Sequence, residues 1–164
     1  MTDTKKILVL GVGNILFTDE GIGVRAVEGL LEEFEFSDNV TLMDGGTLGT
    51  KLLDPIMEHD YVVVVDAVLG GDEPGSLYRL TGEDLRMSLA FRDSMHQTDL
   101  VDTLATCGIL GKQPEAVIIG MEPFDYHSMS VELSPSAVEN MPRMRDAVLE
   151  EVRNAGGEFH RKAE

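Results

Sequence analysis

The chain is short of the side chains that most often bind metals and nucleic acids. Of its 164 residues four are histidine and one, Cys107, is cysteine, and 13 Lys and Arg face 30 Asp and Glu for a formal net charge of −17. A lone cysteine forms no internal disulfide and excludes Cys-x-x-Cys zinc sites and cysteine-ligated iron–sulfur clusters, which need several thiolates. A reducing, cytoplasmic setting is the simplest expectation. Phosphate backbones and anionic lipid headgroups are bound through clustered Lys and Arg, so the scarcity of cations predicts neither a nucleic-acid nor a membrane partner. No stretch approaches the roughly 18 apolar residues of a membrane span, which predicts a soluble chain. Any protein-held metal then falls mainly to carboxylate oxygens, helped by one or two of His59, His96, His127 and His160.

What is present suits one globular domain: 43% of the residues are hydrophobic, enough at this length to bury a substantial core. The expected division is a single domain over 1–157 and a polar tail over 158–164, and the absence of an obvious apolar interaction helix favours a monomer. Lys5 and Lys6 precede the apolar run 7–17 and imitate a secretory signal, but Gly11, Gly13 and Asn14 interrupt it. A first β-strand is the better reading. Short β-branched runs then alternate with helical patterns, the signature of βαβ units around a mostly parallel sheet. Strands are expected over 6–11, 39–44, 61–67, 75–80 and 116–121. The run Tyr61 to Val65 is apolar on both faces and predicts a central strand covered by helices on each side. Helices are expected over 21–34, 48–57 and 97–104, with a short turn at 83–88. Ser94 and Gln97 have capping-box spacing, placing His96 in the first turn of its helix. The last helix opens with Ser134 as N-cap and Pro135 at N1, and runs through Val138, Met141, Met144, Val148 and Val152. Pro142 within it predicts a kink, and the residues after Gly156 and Gly157 read as frayed.

The most informative segment is Gly11-Val-Gly-Asn-Ile-Leu-Phe-Thr-Asp-Glu-Gly-Ile-Gly23, between the first strand and the first helix. A strand, a Gly-rich turn and a helix N-terminus suggest a phosphate cradle. The G-x-G-x-x-G fingerprint, however, needs glycine where this chain has Leu16, and neither Gly49-Thr50-Lys51 nor Gly111-Lys112-Gln113 reads G-K-[ST]. Asp19 and Glu20 occupy the place where a pyrophosphate would approach, so the loop suits a cation. Asp19 is read as an acid favoured by the helix dipole. Glu20 differs because of topology. In a doubly wound sheet starting β-α-β-α-β, strands two and three flank strand one, and ligands bind in the crevice at the carboxyl ends of strands one and three. Glu20 leaves strand one, Asp66 ends strand three, and Asp44 borders the same crevice from strand two. Two carboxylates in one crevice must share a proton, pair with a base or bind a cation, and a cation is the economical answer. His96 is best placed to complete the site; His59 lies at the opposite, amino end, His127 is a weaker candidate and His160 is in the tail. Two carboxylates and one imidazole leave open positions on a transition metal, which can polarise a carbonyl or activate water as metal-assisted hydrolysis requires. No H-E-x-x-H or G-x-S-x-G motif appears, and Cys107 reads as core.

At these residues the chain resembles the NiFe-hydrogenase maturation endopeptidases, from Ile7 to about Val152. The resemblance rests on the long 11–23 motif, Asp44-Gly-Gly-Thr47, Val65-Asp66-Ala67, Ser94-Met-His96, Gly120-Met-Glu-Pro123 and Leu133-Ser-Pro135. It implies a three-layer α/β/α sandwich with a five-stranded, mostly parallel twisted sheet. It also implies a hydrolase of aspartic/metallo type that removes a C-terminal extension from a hydrogenase large-subunit precursor after nickel insertion. The family's metal ligands fall on Glu20, Asp66 and His96, which would serve as both metal-binding and catalytic residues. They would engage nickel supplied by the precursor, with other divalent metals as alternative occupants. Two rivals remain: a non-enzymatic nickel-binding chaperone using the same ligands, and an NAD-type oxidoreductase suggested by Gly11-x-Gly13 and Asp44 but opposed by Leu16 and the acidic pair.

Overall fold

The computed structural model describes residues 4–46, 53–81, 104–105, 107–111 and 114–163. Strand β1, Ile7–Val12, is buried along its whole length. It pairs in parallel with β3, Val40–Gly46, on one side and β4, Tyr61–Ala67, on the other. Beyond β4 lies parallel β6, Glu115–Met121, and then β5, Leu77–Leu80, antiparallel at the edge. The order β3-β1-β4-β6-β5 makes β1 and β4 parallel neighbours at the place where the winding of the sheet changes direction, the switch point expected from the sequence.

Alternation along the strands assigns the two faces. Ile7, Val9, Val63, Val65, Val117 and Ile119 join one buried cluster. It is completed by helix α1, Ile22–Glu33, through Ile22, Ala26, Val27 and Leu30, and by helix α3, Pro135–Asn154, through Met141, Met144, Val148 and Val152. Leu8, Leu10, Val62, Val64 and Ile118 face the other way. There they meet Ile56 of the short helix α2, Leu53–Met57, together with Leu104 and Cys107. These two clusters give the three layers, and Cys107 is buried core whose thiol is pushed up by burial.

Two local expectations are corrected. Helix α1 stops at Glu33, and Phe34–Phe36 forms strand β2. The tail is not frayed: Phe159–Arg161 forms β7 and pairs antiparallel with β2. Phe159 meets Phe34 edge-on at 5.7 Å, and the Arg161 guanidinium lies 5.1 Å from the centre of the Phe34 ring. Such contacts hold a short, outwardly polar segment in place. Helix α3 runs from Pro135 to Asn154 with Pro142 inside it. Pro142 and Val138, whose carbonyl loses its partner four residues on, both lie on the exposed side, where water can serve instead. Ser134 is the N-cap of α3 as expected, accepting from Ala137 N, and Pro135 is its first residue. The turn at 83–88, the Ser94–Gln97 capping box, His96 and all but Leu104 of the helix at 97–104 lie outside the described residues.

Candidate functional site

Two glycines bring the ends of β1 and β4 together with the turn before α1. A Cβ at Gly23 would fall 1.9 Å from the Val65 carbonyl oxygen and 2.7 Å from that of Val12. Only hydrogen fits there, so α1 starts directly against the carboxyl ends of both strands. A Cβ at Gly13, whose φ is +125°, would fall 1.9 Å from the Glu20 carbonyl oxygen and 3.9 Å from Asp66 Oδ1. The main chain of Glu20 and the carboxylate of Asp66 therefore border the same residue. Asp66 is fully buried and its Oδ1 accepts from Ala67 N at 2.8 Å, while Glu20 is half-buried. Asp44, opposite Gly11 in the β1–β3 register, is exposed on the flank of the crevice.

A single 3-10 turn, Thr18–Gly21, carries Glu20. Thr18 adopts a left-handed φ of +49°, costly for a branched residue. It is held there by its N–H to Ser130 O at 2.9 Å and its hydroxyl to Ser128 O at 2.7 Å. Asp19 fixes the turn from within. It is fully buried; Oδ2 accepts from Phe124 N at 2.8 Å, Asp125 N at 3.2 Å and Ser134 Oγ at 2.6 Å, and Oδ1 accepts from Ser134 N at 2.9 Å. The acid read as a dipole partner of its own helix instead binds the N-cap of α3 and the start of the loop after β6. Sequence distance hid this: the partners lie more than a hundred residues away, and no local spacing signals them.

A second buried carboxylate orders the loop after β4. Glu122, just beyond β6, accepts at Oε1 from Gly70 N at 2.9 Å, Asp72 N at 3.2 Å and Tyr78 OH at 2.6 Å. Asp72 Oδ2 also lies 2.8 Å from the same phenol. Burial first, and then the two carboxylates, push the Tyr78 hydroxyl up from its ordinary value. The 120–123 motif was visible in the sequence, but its task of tying two loops at the carboxyl edge was not.

The histidines separate. His59 sits at the amino end, its Nδ1 2.5 Å from Pro55 O. His127 is exposed beside Tyr126, with ring centres 4.1 Å apart, and His160 faces Glu35 across β2 and β7 at 3.0 Å. His96 lies outside the described residues, and among the described residues no three His, Cys, Asp or Glu side chains gather closely enough to hold a metal. The structure thus brings Glu20 and Asp66 to one place and leaves His59 and His160 away from it.

A doubly wound α/β domain with two acids at the switch point is the class this geometry defines. A family model described as hydrogenase maturation protease matches residues 24–151. The hydrogenase expression/formation protein HupD of Rhizobium leguminosarum is 39% identical over 148 residues, covering 85% of this chain and 73% of that protein. The hydrogenase 2 maturation protease of Escherichia coli is 34% identical over 155 residues, covering 93% and 94%. Among solved structures, the hydrogenase maturating endopeptidase HybD from E. coli superimposes with a TM-score of 0.89 at 34% identity, covering 96% of this chain and 98% of that one. The chain belongs to the hydrogenase maturation protease family, and it is a protease of hydrogenase maturation.

Proposed function

We propose that the protein is a nickel-dependent endopeptidase that removes the C-terminal extension of a NiFe-hydrogenase large-subunit precursor after nickel has been inserted. The observation that carries this reading is the placement of Asp66, fully buried at the end of β4, against the residue that also packs on Glu20. Glu20, Asp66 and His96 are the groups assigned to meet the nickel, which arrives as part of the substrate. Two carboxylates and an imidazole would give the mixed oxygen and nitrogen set that suits such an ion and leaves positions open for the scissile peptide and a water. Nickel supplies Lewis-acid polarisation, and a carboxylate of the site accepts the proton that the attacking water releases. Precursor lacking nickel brings no cation to offset the two acids, so the same residues act as a checkpoint.

The test is incubation with nickel-loaded precursor followed by intact mass of the large subunit. Loss of one C-terminal peptide, dependent on nickel and abolished in Glu20→Gln, Asp66→Asn and His96→Ala, is the expected result. Binding of nickel-loaded precursor without any mass change would turn the reading toward a chaperone. Equal cleavage of precursor with and without nickel would remove the metal from it.

A further inference from the structure

Four large apolar side chains stand in solvent on the two loops that frame Glu20. Leu16 is 50% exposed, Phe124 68%, Met129 78% and Val131 58%. Isolated exposed hydrophobics are ordinary; a group of them on neighbouring loops beside a catalytic crevice marks a contact surface. The loops are closely joined. Ser130 N donates to Leu16 O and Thr18 N to Ser130 O, each at 2.9 Å, forming a short parallel bridge at Phe17. Asp19 N donates to Asp125 O at 2.9 Å, and Arg25 Nη2 to Val131 O at 2.9 Å. With the Asp19 carboxylate beneath, the main chain carrying the patch is fixed before anything binds, which lowers the ordering cost of association.

Charge selects the occupant. The acids of these two loops that reach the surface are Glu20, Asp125 and Glu132; the loops themselves carry no Lys or Arg, and the charge of Arg25, which reaches Val131 O, is offset by Glu28 at 3.0 Å. An anionic lipid surface is repelled by such a rim, and a second copy of this chain, itself at −17, would set acid against acid. We infer that Leu16, Phe124, Met129 and Val131 form the docking surface for the hydrogenase precursor, receiving an apolar segment of it flanked by Lys or Arg. This rests on the proposed function above, because the patch adjoins the site assigned to cleave that precursor. Docking here seats the precursor against the loop that bears Glu20.

The experiment measures processing rates of nickel-loaded precursor by wild type, Phe124→Ala/Met129→Ala and, as an independent pair, Leu16→Ala/Val131→Ala, with circular dichroism confirming each fold. The expected outcome is a KM raised about tenfold or more in either pair with kcat unchanged, and a wild-type KM that rises with salt as the acidic rim is screened. A KM within twofold of wild type in both pairs overturns the docking surface while leaving the protease reading intact. So does a wild-type dimer, seen by sedimentation, that both pairs convert to monomer without changing KM. Failure of the wild type itself to process the precursor would instead strike the proposed function.

Discussion

The two ends of the central sheet differ in what they offer a ligand. At the amino end lies a broad hollow of about 780 Å³, lined among others by Leu8, Thr41, Met43, Pro55 and His59. At the carboxyl end two acids, two buried carboxylate hubs and an exposed apolar rim converge. Volume is the usual first guide to a binding site, and this hollow lies at the end of the sheet away from Glu20 and Asp66. The lesson is geometric. Loops leaving parallel strands at their carboxyl ends meet where the strand order reverses, whereas the amino-end hollow is bordered by a histidine whose Nδ1 is engaged by the Pro55 carbonyl.

The sharpest way to break this contrast is to disable each end in turn. At the carboxyl end, Glu20→Gln and Asp66→Asn are expected to lower processing about 100-fold or more, the scale of a lost proton acceptor or charged ligand, with the fold retained by circular dichroism. Rates near wild type in both variants would put the chemistry elsewhere. Asp19→Ala tests the support beneath them. It leaves Phe124 N, Asp125 N and the Ser134 N–H and hydroxyl without their carboxylate, which is expected to cost about 3 kcal/mol. That corresponds to a drop in melting temperature of about 10 °C, read by thermal unfolding, with Asp19→Asn milder. At the amino end, His59→Gln is expected to lower stability by about 1 kcal/mol and to leave processing within twofold. A large loss of processing in His59→Gln would mean that the hollow takes part after all.

The same contrast separates what the sequence discloses from what it conceals. Strands β1, β4 and β6 were legible because burial on both faces leaves continuous apolar runs, and β4 matches its expected limits of Tyr61–Ala67; β3 and β5 are the partly exposed edge strands. The place of Glu20 and Asp66 followed from strand order alone. The β2–β7 pair was missed because each strand is three residues long, below the length at which alternation can be told from a helix end. Phe34 and Phe159 signal it only once they are known to touch. The roles of Asp19 and Glu122 were hidden for a related reason. Each is a carboxylate that earns its burial through main-chain donors far away in sequence, and such donors carry no side-chain signature. His96 was singled out as the third member of the site and lies outside the described residues.

The smallest expected effect belongs to Asp125, on the loop that supports the apolar rim. Hydrogen bonds from Ser128, then from the His127 N–H, pull its carboxyl down to about 2; both N–H groups reach Oδ1 at 2.9 Å. The unfolded value is about 3.9, so the ionised form is favoured by folding. Its contribution to stability is fully present above about pH 4 and fades as the pH falls through the folded value near 2. Urea unfolding of wild type and Asp125→Asn is expected to show a small deficit in the variant at pH 7 that shrinks between pH 4 and pH 2. A deficit in Asp125→Asn that stays constant from pH 7 to pH 2 would show that the carboxylate does not hold the turn. The loop beneath the rim would then rest on the Asp19 carboxylate, which binds its main chain at Phe124 N and Asp125 N.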